Sequence, residues 1–300
     1  MVNKINYIHS SVFFIFSIFI SAFDYFRSNN FIYFCFFLIL VLGISHGSLD
    51  HIKGKKLLKI YKIENVSFFY LSYILIGLGI IFIWILFPYF LLLLFLVVAS
   101  YHFGKEDSDF LSIKNYKNNF ILKTLKGSVI IIAPLFFKQE ETVEIFNSLN
   151  FYLANTFFLK QEFLLFILFL SFLSNLFLCK NESFNNKLIL FSDFFSIIVL
   201  NVFLDPFLAF TLYFCFLHSF RHSTKLIFEL SKKFNKGFII FVKKAIPLTS
   251  ITAILYLVVL FFLQNSFSLN ESINKVIFIG LASLTFPHIL LEYLIEKNGK

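Results

Sequence analysis

Long apolar runs alternate with short polar connections along the chain. The runs fall at about ten places: 7–26, 31–48, 67–87, 89–104, 120–137, 162–179, 187–204, 206–222, 240–263 and 274–294. Most are close to the roughly 20 residues that a helix needs to cross the hydrocarbon core of a bilayer. Apolar residues are continuous within each run and do not alternate with polar ones, which predicts helices and excludes a β-barrel. In lipid the backbone must satisfy its own hydrogen bonds, and a helix does so within one segment. The expected fold class is all-α, a polytopic integral membrane helical bundle of about ten transmembrane helices, with eight as the lower bound. No internal repeat is visible. The longest connections, about twenty residues, are too short for a domain with its own core. Residues 1–300 are therefore read as one multi-pass transmembrane domain. The run 120–137 is the least secure, because it carries Lys123 and Lys126. The first run lacks a small-residue cleavage site and is followed by Asp24, so it reads as a span and not a signal peptide.

Composition agrees. Hydrophobic residues make up 59% of the 300, against roughly 45–50% in soluble proteins. Phe is over-used, at 49 residues, together with Ile, Lys and Asn. That joint excess reads as an A- and T-rich coding bias, so the Phe count says nothing about a ligand. Cys35, Cys179 and Cys215 lie in or at the end of apolar runs and read as small buried hydrophobes.

The net charge of +9 would suggest nucleic acid in a soluble protein. Here its distribution points to the lipid bilayer instead, and no nucleic-acid partner is expected. Basic residues follow the second run (Lys53, Lys55, Lys56, Lys59, Lys62), the fourth (Lys105, Lys114, Lys117), the sixth (Lys180, Lys187) and the eighth (Arg221, Lys225, Lys232, Lys233, Lys236). The intervening connections are poor in Lys and Arg, and Gln139–Glu144 is acidic. By the positive-inside rule the even-numbered spans end in the cytoplasm. Both termini are then cytoplasmic, and the expected location is the cell (inner) membrane.

The histidines follow this frame. His9 lies near the start of the first span and reads as incidental. The other six occur as His46 and His51 in GISHGSLDH, His102 in SYHFGKED, His218 and His222 in FCFLHSFRH, and His288 in FPHILLEY. All four clusters lie at or near the ends of even-numbered spans, which places them in the cytoplasmic half of the membrane. Ionisable residues inside a span are costly and usually face the bundle interior. His218 and His222 are i, i+4 and share a helix face. His46 and Asp50, His102 and Glu106, and His288 and Glu292 have the same spacing. Imidazole suits iron, zinc, copper and nickel, and metal-bound imidazole usually donates its other N–H to a carboxylate or carbonyl. A metal centre with carboxylates behind it fits this pattern. A proton relay of a transporter uses the same residue types.

At these clusters the sequence resembles the Brp/Blh family of bacterial and archaeal membrane proteins, the β-carotene 15,15'-dioxygenases that supply retinal to rhodopsins. The family's elements G-x-x-HG-x-x-DH, HFG-x-x-D, YFC-x-x-HS-x-RH and a late PH read here as Gly43–His51, His102–Asp107, Tyr213–His222 and Pro287-His288. Two positions depart from it. Ser48 stands where a small apolar residue is expected, and Leu217 where an aromatic residue is common. They put substrate preference in doubt more than chemistry.

The resemblance implies oxidative cleavage of the central double bond of β-carotene with O2, giving two all-trans-retinals. It also implies a non-haem Fe(2+) cofactor and a functional link to a retinal-binding rhodopsin. By motif position the ligands would be His46, His102, His218 and His222. Asp50, His51, Glu106, His288, Tyr101 and Tyr213 would stand behind them or line the pocket. Ferrous iron with open positions activates O2, and four neutral imidazoles leave up to two positions open. Two alternatives are weighed. A desaturase- or hydroxylase-like membrane metalloenzyme typically has eight or more histidines with HxxHH boxes, which this chain lacks. A proton-coupled transporter would bind no metal.

Overall fold

The computed structural model describes residues 2–28, 30–111, 119–152 and 159–298. Lys114, Lys117 and Lys300 lie outside the described residues, as does the side chain of His46. Among the described residues the regular structure is helical, with no strand. The helices are α1 (Val2–Ala22), α2 (Asp24–Ser28), α3 (Ile32–Leu38), α4 (Asp50–Ile60), α5 (Ser67–Leu86), α6 (Pro88–Glu106) and α7 (Phe120–Phe137). They continue with α8 (Gln139–Ser148), α9 (Gln161–Cys179), α10 (Phe184–Phe203), α11 (Pro206–Leu212), α12 (Phe220–Leu230), α13 (Phe234–Leu263) and α14 (Leu269–Asn298).

Among the described residues, nine helices are long and apolar enough to cross a membrane. They are α1, the run Ile32–Ile60 that joins α3 to α4, and α5, α6, α7, α9, α10, α13 and α14. The chain is an all-α, polytopic helical bundle. The run 206–222 is also helical but is not among the nine. Its second half is polar, and almost every residue in it is buried. Those polar groups meet protein, so the segment need not be apolar throughout. By contrast α5 buries only Trp84, and large apolar side chains along α5 and α13 are exposed, as lipid-facing helices require.

Two stretches depart from α-geometry within longer helical runs, and both fall on histidine motifs. Ile39–Gly43 is π-helical and Ile44–Leu49 is 3-10 helical, and together they lead into Asp50. Tyr213–Ser219 is π-helical and carries His218. π turns inside α-helices are rare and frequently mark functional sites.

Residue contacts sort the chain into two compact units. The first comprises Met1–Ile39, Leu96–Asn147 and Tyr152–Lys225. In it α1 packs on α10, and α7 packs on α9 and α10. The buried side chains of α1 are Asn6, Ser10, Phe13, Ser17, Ile20 and Ser21, a single stripe at three- and four-residue spacing. Its serines let the neighbouring backbone come close. α6 and α7 meet at Gly104 and Gly127: a Cβ on Gly104 would overlap the Lys123 carbonyl, and one on Gly127 the Ser100 carbonyl. The doubtful span 120–137 is thus a packed helix. Its Lys126 is buried and lines, with Asp107, Asn175 and Asp193, a cavity of about 10 Å³, the size of one water.

The second unit comprises Leu40–Phe95, Ser148–Phe151 and Leu226–Lys300. Here α14 packs against α5, α4 and α13, and α13 packs against the 3-10 stretch. Leu49, Leu226, Ile227, Phe241 and Ala245 form one apolar cluster. Lys275 of α14 donates to the Ser148 carbonyl and to Asn150 Oδ1, which ties the short segment 148–151 to the unit.

Candidate active site

In the first unit, three elements place the chemistry. α6 brings His102 one turn before its end and Glu106 as its last residue, and Asp107 lies in the turn that follows. The π-helical stretch brings Tyr213 and His218, and α12 brings Arg221 and His222. Nδ1 of His222 donates to Glu106 Oε2 at 2.9 Å. Nδ1 of His218 donates to Asp107 Oδ1 at 3.2 Å, and the Tyr213 hydroxyl donates to Asp107 Oδ2 at 2.6 Å. Consecutive residues of a continuing helix point about 100° apart. Because α6 ends here, Glu106 and Asp107 can both serve the neighbouring helical segment. His102, His218 and His222 are all buried, and the rings of His102 and His218 lie 5.3 Å apart between centroids. Phe103 meets His218 edge-on at 4.8 Å.

Arg221 secures the other side of Asp107. Its Nη1 lies 3.8 Å from Asp107 Oδ1 and 2.8 Å from Asp193 Oδ2, and its Nη2 donates to Asp193 Oδ1 at 3.1 Å. Burial by itself pushes the Asp107 carboxyl up. The hydrogen bond and charge of His218, followed by the charges of Lys126 and Arg221, outweigh it and hold the group well below the usual carboxylate range. A cavity of about 170 Å³ lies beside His218 and His222, lined also by Glu106, Asp107, Asn3 and Asn6.

The second unit repeats the motif of a carboxylate that receives one imidazole and one phenol. Nδ1 of His288 donates to Asp50 at 2.8 Å (Oδ2) and 3.0 Å (Oδ1), and the Tyr73 hydroxyl donates to Asp50 Oδ2 at 2.8 Å. Glu292 is salt-bridged to Lys53 at 2.8 Å and lies 3.8 Å from His288 Nε2. His51 is half-buried, with Nδ1 3.0 Å from the Ser48 carbonyl oxygen.

These contacts add partners that the i, i+4 spacing along one helix does not give. Asp50 holds His288, and Glu106 holds His222. Glu292 takes Lys53 as its closer partner. At i, i+4 two side chains share a face, but both then point at the next helix, and the closest partner sits there. Tyr101 is half-buried with its ring 4.8 Å from Phe120. Three residues escaped the sequence reading as site residues: Asp107, Tyr73 and Arg221. Asp107 closes the HFG-x-x-D element, which was the available signal. Tyr73 sits in an apolar run that carries none.

Donation from Nδ1 to a carboxylate fixes the tautomer and leaves the Nε2 lone pair as the ligating atom, the arrangement common to metal-binding histidines. His102, Glu106, His222, His288 and Glu292 all offer atoms suited to a metal ion. Within either unit taken alone, the described residues do not bring three such atoms within 4.8 Å of one another. The donor chemistry nevertheless fits a non-haem iron: imidazole nitrogen backed by carboxylate, on buried helix segments.

The profile of the family described as Beta-carotene 15,15'-dioxygenase matches residues 37–296. The chain belongs to this family. Membership makes it a carotenoid-cleaving dioxygenase. It is 29% identical over 265 residues, 87% of its own length and 93% of the relative's, to a Beta-carotene 15,15'-dioxygenase from the uncultured marine bacterium 66A03. No solved structure matches the chain. Every His–carboxylate pair described above falls within the matched residues.

Proposed function

We propose that this dioxygenase splits the central double bond of β-carotene with O2 and releases two molecules of all-trans-retinal, using a single ferrous ion. The observation that carries this reading is the family match over 37–296, which contains both Asp–His–Tyr groups. The reaction balances without any proton leaving the substrate: one carbon–carbon double bond is broken, and each oxygen atom of O2 ends as one aldehyde oxygen. No general base is needed, which suits a site whose carboxylates are engaged in holding imidazoles.

By motif position the proposed iron ligands are His46, His102, His218 and His222, with His51 and His288 the candidates to replace one of them. Bound iron would supply the activation of O2 that an organic site lacks. The chain's own groups do the rest. Asp107, Glu106 and Asp50 hold imidazoles in one tautomer. Tyr213 and Tyr73 fix the carboxylates. Phe103 and its neighbours keep bulk water from His218. The polyene is apolar and reaches the protein from the bilayer. The enzyme is placed in the cell (inner) membrane with both termini cytoplasmic, and its retinal is taken up by a retinal-binding rhodopsin.

Expression in cells that already make β-carotene tests this directly. Intact protein is expected to bleach the cells and yield extractable retinal, while His218→Ala, present at equal level in the membrane, yields none. Unchanged carotenoid with the intact protein in the membrane would sink the proposal for this substrate.

A further inference from the structure

His9 does more than its position in a lipid-facing run suggests. Its Nε2 donates to the Phe216 carbonyl at 2.7 Å, inside the π-helical stretch and two residues before His218. Its ring stacks on Phe220 at 4.4 Å between centroids, tilted by 22°. The next residue of α1, Ser10, is buried and accepts from Arg221 Nη2 at 2.8 Å. Phe16, farther along α1, meets Phe216 edge-on at 6.2 Å. One helix therefore grips residues 216, 220 and 221, on both sides of His218 and immediately before His222. π-helical turns are rare and occur mostly as single turns inside α-helices, frequently at functional sites, and this one has α1 packed on it. α1 lies ahead of the matched residues 37–296, and the family match assigns it no role.

We propose that α1 is a brace for the segment that carries His218 and His222, and that His9 is the positioning residue that holds its π-helical turn. The His9 N–H occupies the Phe216 carbonyl and its ring blocks rotation at Phe220. Ser10 steadies Arg221, which in turn holds Asp107 and through it His218. The proposal rests on the reading of His218 and His222 as metal ligands only for its functional consequence; the brace itself does not depend on which metal binds.

The test uses the full-length protein in lipid nanodiscs, with His9→Leu (donor and ring removed), His9→Gln (an N–H donor kept) and Ser10→Ala. Val12→Ala, at an exposed position of α1, is the control. The first readout is amide hydrogen exchange of segment 213–222. The second is the visible absorption spectrum after loading with Co(II) alone. His9→Leu is expected to raise exchange across 213–222 by about tenfold or more without changing α5 or α14, and to shift the cobalt bands. His9→Gln restores most of the protection, and Val12→Ala is silent. Unchanged exchange in His9→Leu, or a rise spread evenly over all helices, overturns the proposal. Should His9→Leu fail to fold, Ser10→Ala decides: a local rise at 213–222 supports the brace, and wild-type exchange overturns it. If no variant binds cobalt, the metal assignment fails while the exchange data still judge the brace.

Discussion

At the scale of single residues, the informative groups are the carboxylates. Asp107 spends one oxygen on His218 and the other on Tyr213, while Asp50 receives His288 on both oxygens and Tyr73 on Oδ2. If His218 is a ligand as proposed, losing the carboxylate behind it typically costs about 10–100-fold in metal affinity or activity. Asp107→Asn should therefore lower retinal formation by about that factor and lower the iron retained on purification. Asp109→Asn is the matched control. Asp109 pairs with Lys225 while 47% exposed, and exposed ion pairs contribute little, so turnover within about twofold of the intact protein is expected. Equal losses in the two variants would show that position, and not the His218 bond, explains the effect.

At the scale of elements, the glycines show where helices must touch. Gly104 belongs to the HFG motif, yet its neighbour in space is backbone: the Lys123 carbonyl occupies the place of a Cβ. A backbone atom cannot turn aside as a side chain can, so Gly104→Ala must push α6 and α7 apart. Overpacking of this kind costs roughly 1–3 kcal/mol, and the shift moves His102, Glu106 and Asp107 together. The expected result is a lower thermal midpoint in detergent and a loss of retinal formation. Gly79→Ala, where nothing lies within 4 Å of the added Cβ, should leave the midpoint unchanged or raise it slightly through helix propensity. A Gly104→Ala protein as stable and active as the original would refute the close α6–α7 contact.

At the scale of the whole molecule, the proposed function requires both an apolar substrate drawn from lipid and a polar centre shielded from it. Exposed Phe, Ile and Leu side chains cover α5 and α13, while His102, Asp107, His218 and His222 are buried in the first unit and Asp50 and His288 in the second. The proposed reaction puts both atoms of one O2 into product. With isotopically labelled O2, and retinal trapped at once by reduction to the alcohol, both halves of the cleaved polyene should carry one labelled oxygen. Label in only half of the product, with the remainder from water, would contradict a dioxygenase step. Removing iron with a chelator should stop product formation, and adding Fe(2+) back should restore it.

The sequence by itself determined the fold class, most of the spans and the segments that carry the chemistry. Continuous apolar runs permit nothing but helices in lipid, and six histidines in four motifs are conspicuous in so apolar a chain. It also supported membership in the right family. It did not find His288 as the partner of Asp50 or His222 as that of Glu106, because spacing along one helix reports which face a side chain shares and not which helix lies opposite. It passed over His9 for the same reason: only packing brings α1 against the π-helical turn, 207 residues away. It doubted the span with Lys123 and Lys126, because hydropathy counts a lysine as a cost without seeing Asp107 and Asp193 around the same small cavity as Lys126. Helix formation in a membrane is a local matter of self-satisfied backbone. The identity of a buried polar group's partner depends on helices distant in sequence, and only tertiary structure decides it.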